Sequence, residues 1–178
     1  EIRLSLVGSE MCIRDSLREN GAQQELRNLY DYLKRQTGIL TSDLDAGIVY
    51  TAHTSEFGWQ EAKTDGIVAG YPRQDLFLAA VRIQLGANMP EGNVRYVVEL
   101  AQGPSEWCMD GELAGSAEKA NPLLGIRINL TGEIAETYDI AYRVYVSEQG
   151  WTAWGRNGSY VGGDAMQALQ VKLVKKTE

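Results

Sequence analysis

The sequence has few of the residues that carry most enzyme chemistry and most covalent cross-links. Its 178 residues include one histidine, His53, and two cysteines, Cys12 and Cys108. A single histidine with no visible partner base or nucleophile loop gives little basis for acid–base or nucleophilic catalysis. No segment supplies the spaced oxygen ligands of a calcium site. We therefore expect no catalytic residue, no metal and no cofactor, and at most one disulfide.

Basic residues and long apolar runs are also scarce. Seventeen lysines and arginines stand against 24 acidic residues, which gives a net charge of −7. This balance disfavours nucleic-acid backbones and anionic membrane surfaces as partners. No run approaches the roughly 18 apolar residues of a membrane span, and the first residues do not resemble an export signal. We expect no nucleic-acid partner and no membrane insertion.

Glycine and aromatic residues are the abundant types. Nineteen glycines, nine tyrosines and four tryptophans favour an all-β class. One segment differs, because four apolar residues spaced i, i+3, i+4 and i+7 predict an α-helix over about residues 21–36. Residues 1–20 are interpreted as a non-native or disordered leader. Residues 21–44 are interpreted as a helix and linker at the end of an upstream domain.

Three segments after residue 45 align with one another, at residues 48–85, 94–130 and 140–173. Their leading tyrosines are 46 residues apart each time: Tyr50, Tyr96 and Tyr142. Each segment then has a turn dipeptide: Asp65-Gly66, Asp110-Gly111 or Asn157-Gly158. A second glycine follows four residues after the first, and each segment closes on an alternating apolar stretch. Asp-Gly and Asn-Gly favour type I′ hairpins, so each unit is predicted to hold three strands.

These units predict a shared architecture over residues 45–178. A unit of about 45 residues with three or four strands does not bury its own apolar face. Three units around one axis do. The prediction is an all-β body with pseudo-threefold symmetry, either a β-prism or a β-trefoil, preceded by one short α-helix.

The four tryptophans recur in two positions, seven and four residues before the turn glycine. The first position holds Trp59 and Trp151, and the second holds Trp107 and Trp154. One interpretation places them in the hub where the units meet. The other leaves one or more exposed to bind a sugar ring or a peptide, with Trp154 as the best candidate. Three residues of extended chain separate the two positions, which predicts that they face opposite sides of a strand.

The motif as a whole carries a family resemblance. "YTAHTSEFGW" followed by "DGIVAG", and "YRVYVSEQGW" followed by "NGSYVG", resemble the clostridial hydrophobic W (ChW) repeat over roughly residues 47–175. The second copy departs from the pattern, because it has "GPSEW" in place of Gly-Trp. The resemblance implies a secreted or cell-surface module of Gram-positive bacteria that acts in adhesion or polymer binding.

Three functions follow as alternatives. The first is a non-catalytic binding module for a cell-wall or host polysaccharide or glycoprotein, attached to an upstream domain that this sequence lacks. The second is a structural spacer or assembly module. The third is the remnant of a secreted glycan-active enzyme without its catalytic domain. The tentative ligand-binding residues are the four tryptophans, and the turn dipeptides are expected to be structural.

Residues 5–16 contain "SEMCIRDS", which does not share the repeat pattern. This stretch resembles a translated library adapter at the broken end of an environmental sequence assembly. The resemblance implies that residues 1 to about 16 are not natural protein. It removes Cys12 from the disulfide count and leaves Cys108 unpaired, so we expect their Cα atoms to lie farther apart than the roughly 7 Å limit for a disulfide.

Overall fold

A computed structural model describes residues 47–117 and 121–177. The predicted leader, the predicted helix over 21–36 and Cys12 lie outside the described residues. The all-β prediction is confirmed: in the described part the only helix is the short α1, Ile134–Thr137, and strands make up most of the rest. No helix there is long and apolar enough to cross a membrane.

Each of the three segments forms five strands, two long and three short. The first segment contains β1 (Ile48–Thr54), β2 (Gly58–Trp59), β3 (Lys63–Thr64), β4 (Ala69–Gly70) and β5 (Leu78–Leu85). The second contains β6 (Gly92–Leu100), β7 (Gly103–Pro104), β8 (Cys108–Met109), β9 (Ala114–Gly115) and β10 (Gly125–Gly132). The third contains β11 (Tyr138–Val146), β12 (Gly150–Trp151), β13 (Gly155–Arg156), β14 (Val161–Gly162) and β15 (Met166–Lys175). The prediction of three strands per unit is wrong, because two-residue strands leave no periodic signal.

The strands form three antiparallel sheets of five strands each. Sheet one pairs β1 with β5 and adds β2, β3 and, from the second segment, β9. Sheet two pairs β6 with β10 and adds β7, β8 and, from the third segment, β14. Sheet three pairs β11 with β15 and adds β12, β13 and, from the first segment, β4. Each segment therefore completes the sheet of another segment.

The turn dipeptides have the predicted backbone conformation but not the predicted role. Asp65 and Gly66 have φ values of 40° and 89°, and the other two dipeptides match them, as a type I′ turn requires. The strands on either side do not form a hairpin, because β3 pairs with β1 whereas β4 pairs with β15. The Gly66 N–H donates to the Val171 carbonyl at 2.7 Å. Each turn thus carries the chain from one sheet into the next.

The leading tyrosines of the segments lie in the buried core. Tyr50, Tyr96 and Tyr142 are at most 1% exposed and belong to one hydrophobic cluster. Their hydroxyl groups donate to backbone carbonyls just beyond the turn glycines: Ile67, Glu112 and Ser159. A buried phenol needs such a partner. The interpretation that tryptophans fill the hub is wrong, since the buried residues of the described part include none.

Candidate functional site

Each sheet has an inner face on the core and an outer face that carries aromatic rings beside cations. The two faces arise from simple alternation, because successive side chains of a strand point to opposite sides. On sheet one the residue pair Tyr50 and Ile83 faces inward, and the next pair, Thr51 and Arg82, faces outward. The outer faces are where the candidate tryptophans lie.

On sheet one, Trp59 lies on the outer face opposite His53 and is 40% exposed. The guanidinium carbon of Arg82 lies 5.2 Å from the ring centroid of Trp59, within cation–π range. The His53 ring packs edge-on against the same indole, with centroids 5.3 Å apart. His53 therefore helps to orient the Trp59 indole.

On sheet two, two aromatic side chains lie against arginines. The Arg95 guanidinium carbon is 5.2 Å from the ring centroid of Trp107, which is 47% exposed. The Arg127 guanidinium carbon is 5.0 Å from the ring of Tyr160. Arg127 also pairs with the Glu99 carboxylate at 3.8 Å. Sheet two therefore neutralises one of its outward cations internally.

Sheet three has the densest arrangement. The Arg143 guanidinium carbon lies 4.7 Å from the ring centroids of both Trp151 and Trp154. The Lys172 ammonium lies 4.3 Å from the Trp154 centroid, and the Tyr145 ring meets Trp151 edge-on at 5.5 Å. The prediction that the two tryptophan positions face opposite sides is wrong. Strand β12 ends at Trp151, so strand alternation does not extend to Trp154.

The predicted site residues therefore separate into two groups. Trp59, Trp107 and Trp154 are exposed and Trp151 is half-buried, all beside cations. The turn residues bind the backbone of their own segments. Asp65, Asp110 and Asn157 each accept the backbone N–H at the start of their own segment's first long strand, at 3.0–3.1 Å.

Sequence reasoning did not identify any of the four arginines as a partner of an aromatic ring. They are Arg82, Arg95, Arg127 and Arg143. All four occupy outward positions of long strands, an odd number of residues from an inward tyrosine or isoleucine. The alternation of inward and outward residues along these strands could have placed the arginines on the outer faces.

Cys108 is a half-buried free thiol within the described residues. Its Sγ donates to the Leu113 carbonyl at 3.4 Å. Burial raises the pKa of the Cys108 thiol, and the nearby Glu112 and Glu106 carboxylates add to this effect. The thiol therefore stays protonated near neutral pH, which is unfavourable for a nucleophile or a metal ligand. The described residues contain no cluster of histidine, cysteine and carboxylate side chains able to hold a metal ion.

Comparison of the chain with protein-family models, with curated proteins and with solved structures finds no match. The resemblance to ChW repeats therefore stays a prediction.

The surroundings of the tryptophans predict a specific quenching behaviour. Acrylamide should quench tryptophan emission in the folded protein, because three indoles are exposed. Iodide should quench more strongly than caesium, since every indole has a cation 4.3–5.2 Å from its ring. Stern–Volmer plots at matched ionic strength measure this. In denaturant the preference for iodide should disappear, because the net charge is −7. Emission shielded from acrylamide would contradict the exposed arrangement.

Proposed function

We propose that this protein is a non-catalytic binding module of a secreted or cell-surface protein, and that its ligand is a cell-wall or host glycan. One observation carries the proposal: Trp59, Trp107 and Trp154 are exposed on outer sheet faces, each beside an arginine. Tryptophan is enriched at interaction surfaces, because it combines a large apolar ring with a polar N–H group. The hydrophobic core does not depend on these indoles, because the buried aromatic side chains of the described residues are tyrosines.

The arginine contacts favour binding in two ways. A guanidinium within about 6 Å of an indole holds the ring in one orientation, so less side-chain entropy is lost when a ligand packs on it. The same guanidinium presents hydrogen-bond donors next to an apolar ring. A sugar offers the complementary surface, with C–H groups on a ring face and hydroxyl groups at its rim.

We further propose that the three segments form a pseudo-threefold body of the β-prism kind. The strand pairing supports this: the long pairs β1–β5, β6–β10 and β11–β15 belong to separate sheets. The short strands pass in one cyclic order, from segment one to sheet three, two to one and three to two. Three outer faces with related sites suit a polymer, because simultaneous contacts raise the overall affinity.

A pull-down with insoluble polysaccharides tests the proposed function. The full chain is incubated with peptidoglycan, chitin, cellulose and mucin beads, alongside the double variant W59A/W154A. Retention on at least one polymer is expected, and the variant should bind about tenfold more weakly, as for loss of an aromatic anchor. Phe57→Ala is the matched control, because Phe57 is exposed but pairs with Tyr71 rather than with a cation. Absence of retention on these polymers together with absence of binding to any soluble glycan would refute the proposal.

An assembly module is the second candidate. Exposed apolar side chains favour it, and they include Ile67, Met109 and Leu113. Such surfaces also suit contacts between copies of a chain. Light scattering coupled to gel filtration discriminates the two functions: a stable oligomer that disperses on Met109→Ser or Leu113→Ser, without glycan retention, would favour assembly.

A further inference from the structure

We infer that the outer face of sheet three binds an acidic sugar residue, with Arg143 and Lys172 contacting its anionic group and Trp154 packing on its ring. This inference rests on the proposed glycan-binding function and names the chemical class of the ligand. The acidic group is a carboxylate or a sulfate carried on the sugar.

The charge of this face favours an anionic ligand. Among the described residues, neither Arg143 nor Lys172 has a carboxylate within ion-pair distance. On sheet two, Glu99 forms an ion pair with Arg127 and neutralises its positive charge. Glu99 is the third residue after Tyr96, and the residue with the same offset from Tyr142 is Tyr145, which carries no charge. Sheet three therefore has no carboxylate at the position of Glu99, and its carboxylate Asp139 pairs with Arg156 and Lys176 instead. An external anion would complement Arg143 and Lys172.

Arg143 is held in place before any ligand arrives. Its Nε donates to the Gln170 Oε1 at 2.8 Å, and the Gln170 Nε2 donates to the Gly66 carbonyl at 2.5 Å. Two indoles lie 4.7 Å from its guanidinium carbon. A guanidinium has five N–H donors, and within the described residues only Nε–H has a hydrogen-bond partner. The other four can bind an oxyanion without the usual loss of side-chain freedom.

The exposed indole beside the two cations favours a sugar over an acidic peptide. Trp154 is 36% exposed directly beside the two cations, so one ligand residue that carries both a ring face and an anion satisfies the whole site. An acidic peptide side chain offers the anion without the ring. The net charge of −7 repels polyanions in general, so binding must come from this local site.

Isothermal titration of the full chain against four soluble polymers tests the inference. Polygalacturonate carries carboxylates, dextran sulfate carries sulfates, dextran is neutral, and poly-glutamate is an acidic peptide. The variants are Arg143→Gln and Lys172→Gln. Arg127→Gln removes the same charge from sheet two and is the matched control. Thermal melting and near-ultraviolet circular dichroism verify folding, and Arg143→Lys, which keeps the charge without the planar donors, is a second variant at the same position.

The expected result is binding to polygalacturonate or dextran sulfate that weakens about tenfold or more in Arg143→Gln. Lys172→Gln should weaken binding less than Arg143→Gln does. The affinity of Arg143→Lys should lie between those of the parent chain and Arg143→Gln. Arg127→Gln should change the affinity less than about threefold, as loss of a surface charge outside the site does. The preferred anionic polymer identifies the acidic group.

Four outcomes overturn the inference. Equal losses in Arg143→Gln and Arg127→Gln would show non-specific charge attraction. Binding to poly-glutamate with the same dependence on Arg143 would assign the face to an acidic peptide. Binding to dextran but to neither anionic glycan would reject the acidic sugar and leave the proposed glycan-binding function standing. Failure on every glycan, soluble and insoluble, would refute both.

Discussion

Replacing Gly115 by alanine should lower the free energy of unfolding by about 3 kcal/mol, from a steric clash added to backbone strain. Gly115 is on β9, where the second segment joins sheet one opposite Ala80. A Cβ at this position would lie 2.3 Å from the Ala79 carbonyl oxygen and 3.0 Å from the Ala80 Cα. Backbone atoms of a central strand cannot move aside without breaking the β1–β5 pairing, and the φ of +95° is also unfavourable for alanine.

Gly103→Ala is the matched control for this clash. Its φ is +117°, and no heavy atom of the described residues lies within 4 Å of a Cβ built there. It therefore reports backbone strain alone, about 1 kcal/mol. Urea titrations followed by circular dichroism measure both variants. Equal destabilisation by the two substitutions would mean that close approach of the sheets is not the reason for glycine at position 115.

Patterns among neighbouring residues predicted the turn conformations and the closing strands. The positive φ of the turn dipeptides and the alternation of the closing strands depend on neighbouring residues, and both are confirmed. The exchange of short strands depends on distant residues, such as Gly70 opposite Ala168. The glycine that recurs four residues after each turn glycine marked this position. It did not identify the strand that pairs with it, because a strand of two residues has no periodicity.

The candidate site was harder to predict than the strands. Alignment of the segments located the tryptophans, since they share offsets from the turn glycine. It did not place them outside, because aromatic side chains at repeated positions are usually buried. The arginines that pack against them come from different offsets, for example Arg82 on β5 and Arg143 on β11. Only the pairing of strands brings such residues onto one face.

The second large effect is expected at alkaline pH. Burial raises the pKa of Tyr50 and of Tyr96 to about 12, whereas an unfolded tyrosine titrates near 10. The folded state therefore binds these two protons more tightly than the unfolded state. The stability that this difference contributes is fully present below pH 10. It is lost as the pH rises from about 10 to 12. Ionisation of each tyrosine should lower the free energy of unfolding by about 1.4 kcal/mol at pH 11 and by about 2.7 kcal/mol well above pH 12.

Urea midpoints at pH 9, 10, 11 and 12, with absorbance at 295 nm to follow phenolate, measure this loss. Tyr96→Phe separates ionisation from packing, because it keeps the ring and removes the titrating group. At neutral pH the variant should be less stable by about 1–3 kcal/mol, since the Glu112 carbonyl loses its donor and the Ile83 N–H loses its acceptor. Above pH 10 its stability should fall less steeply than that of the parent chain. Parallel pH curves for the two proteins would show that the buried tyrosines do not drive alkaline unfolding.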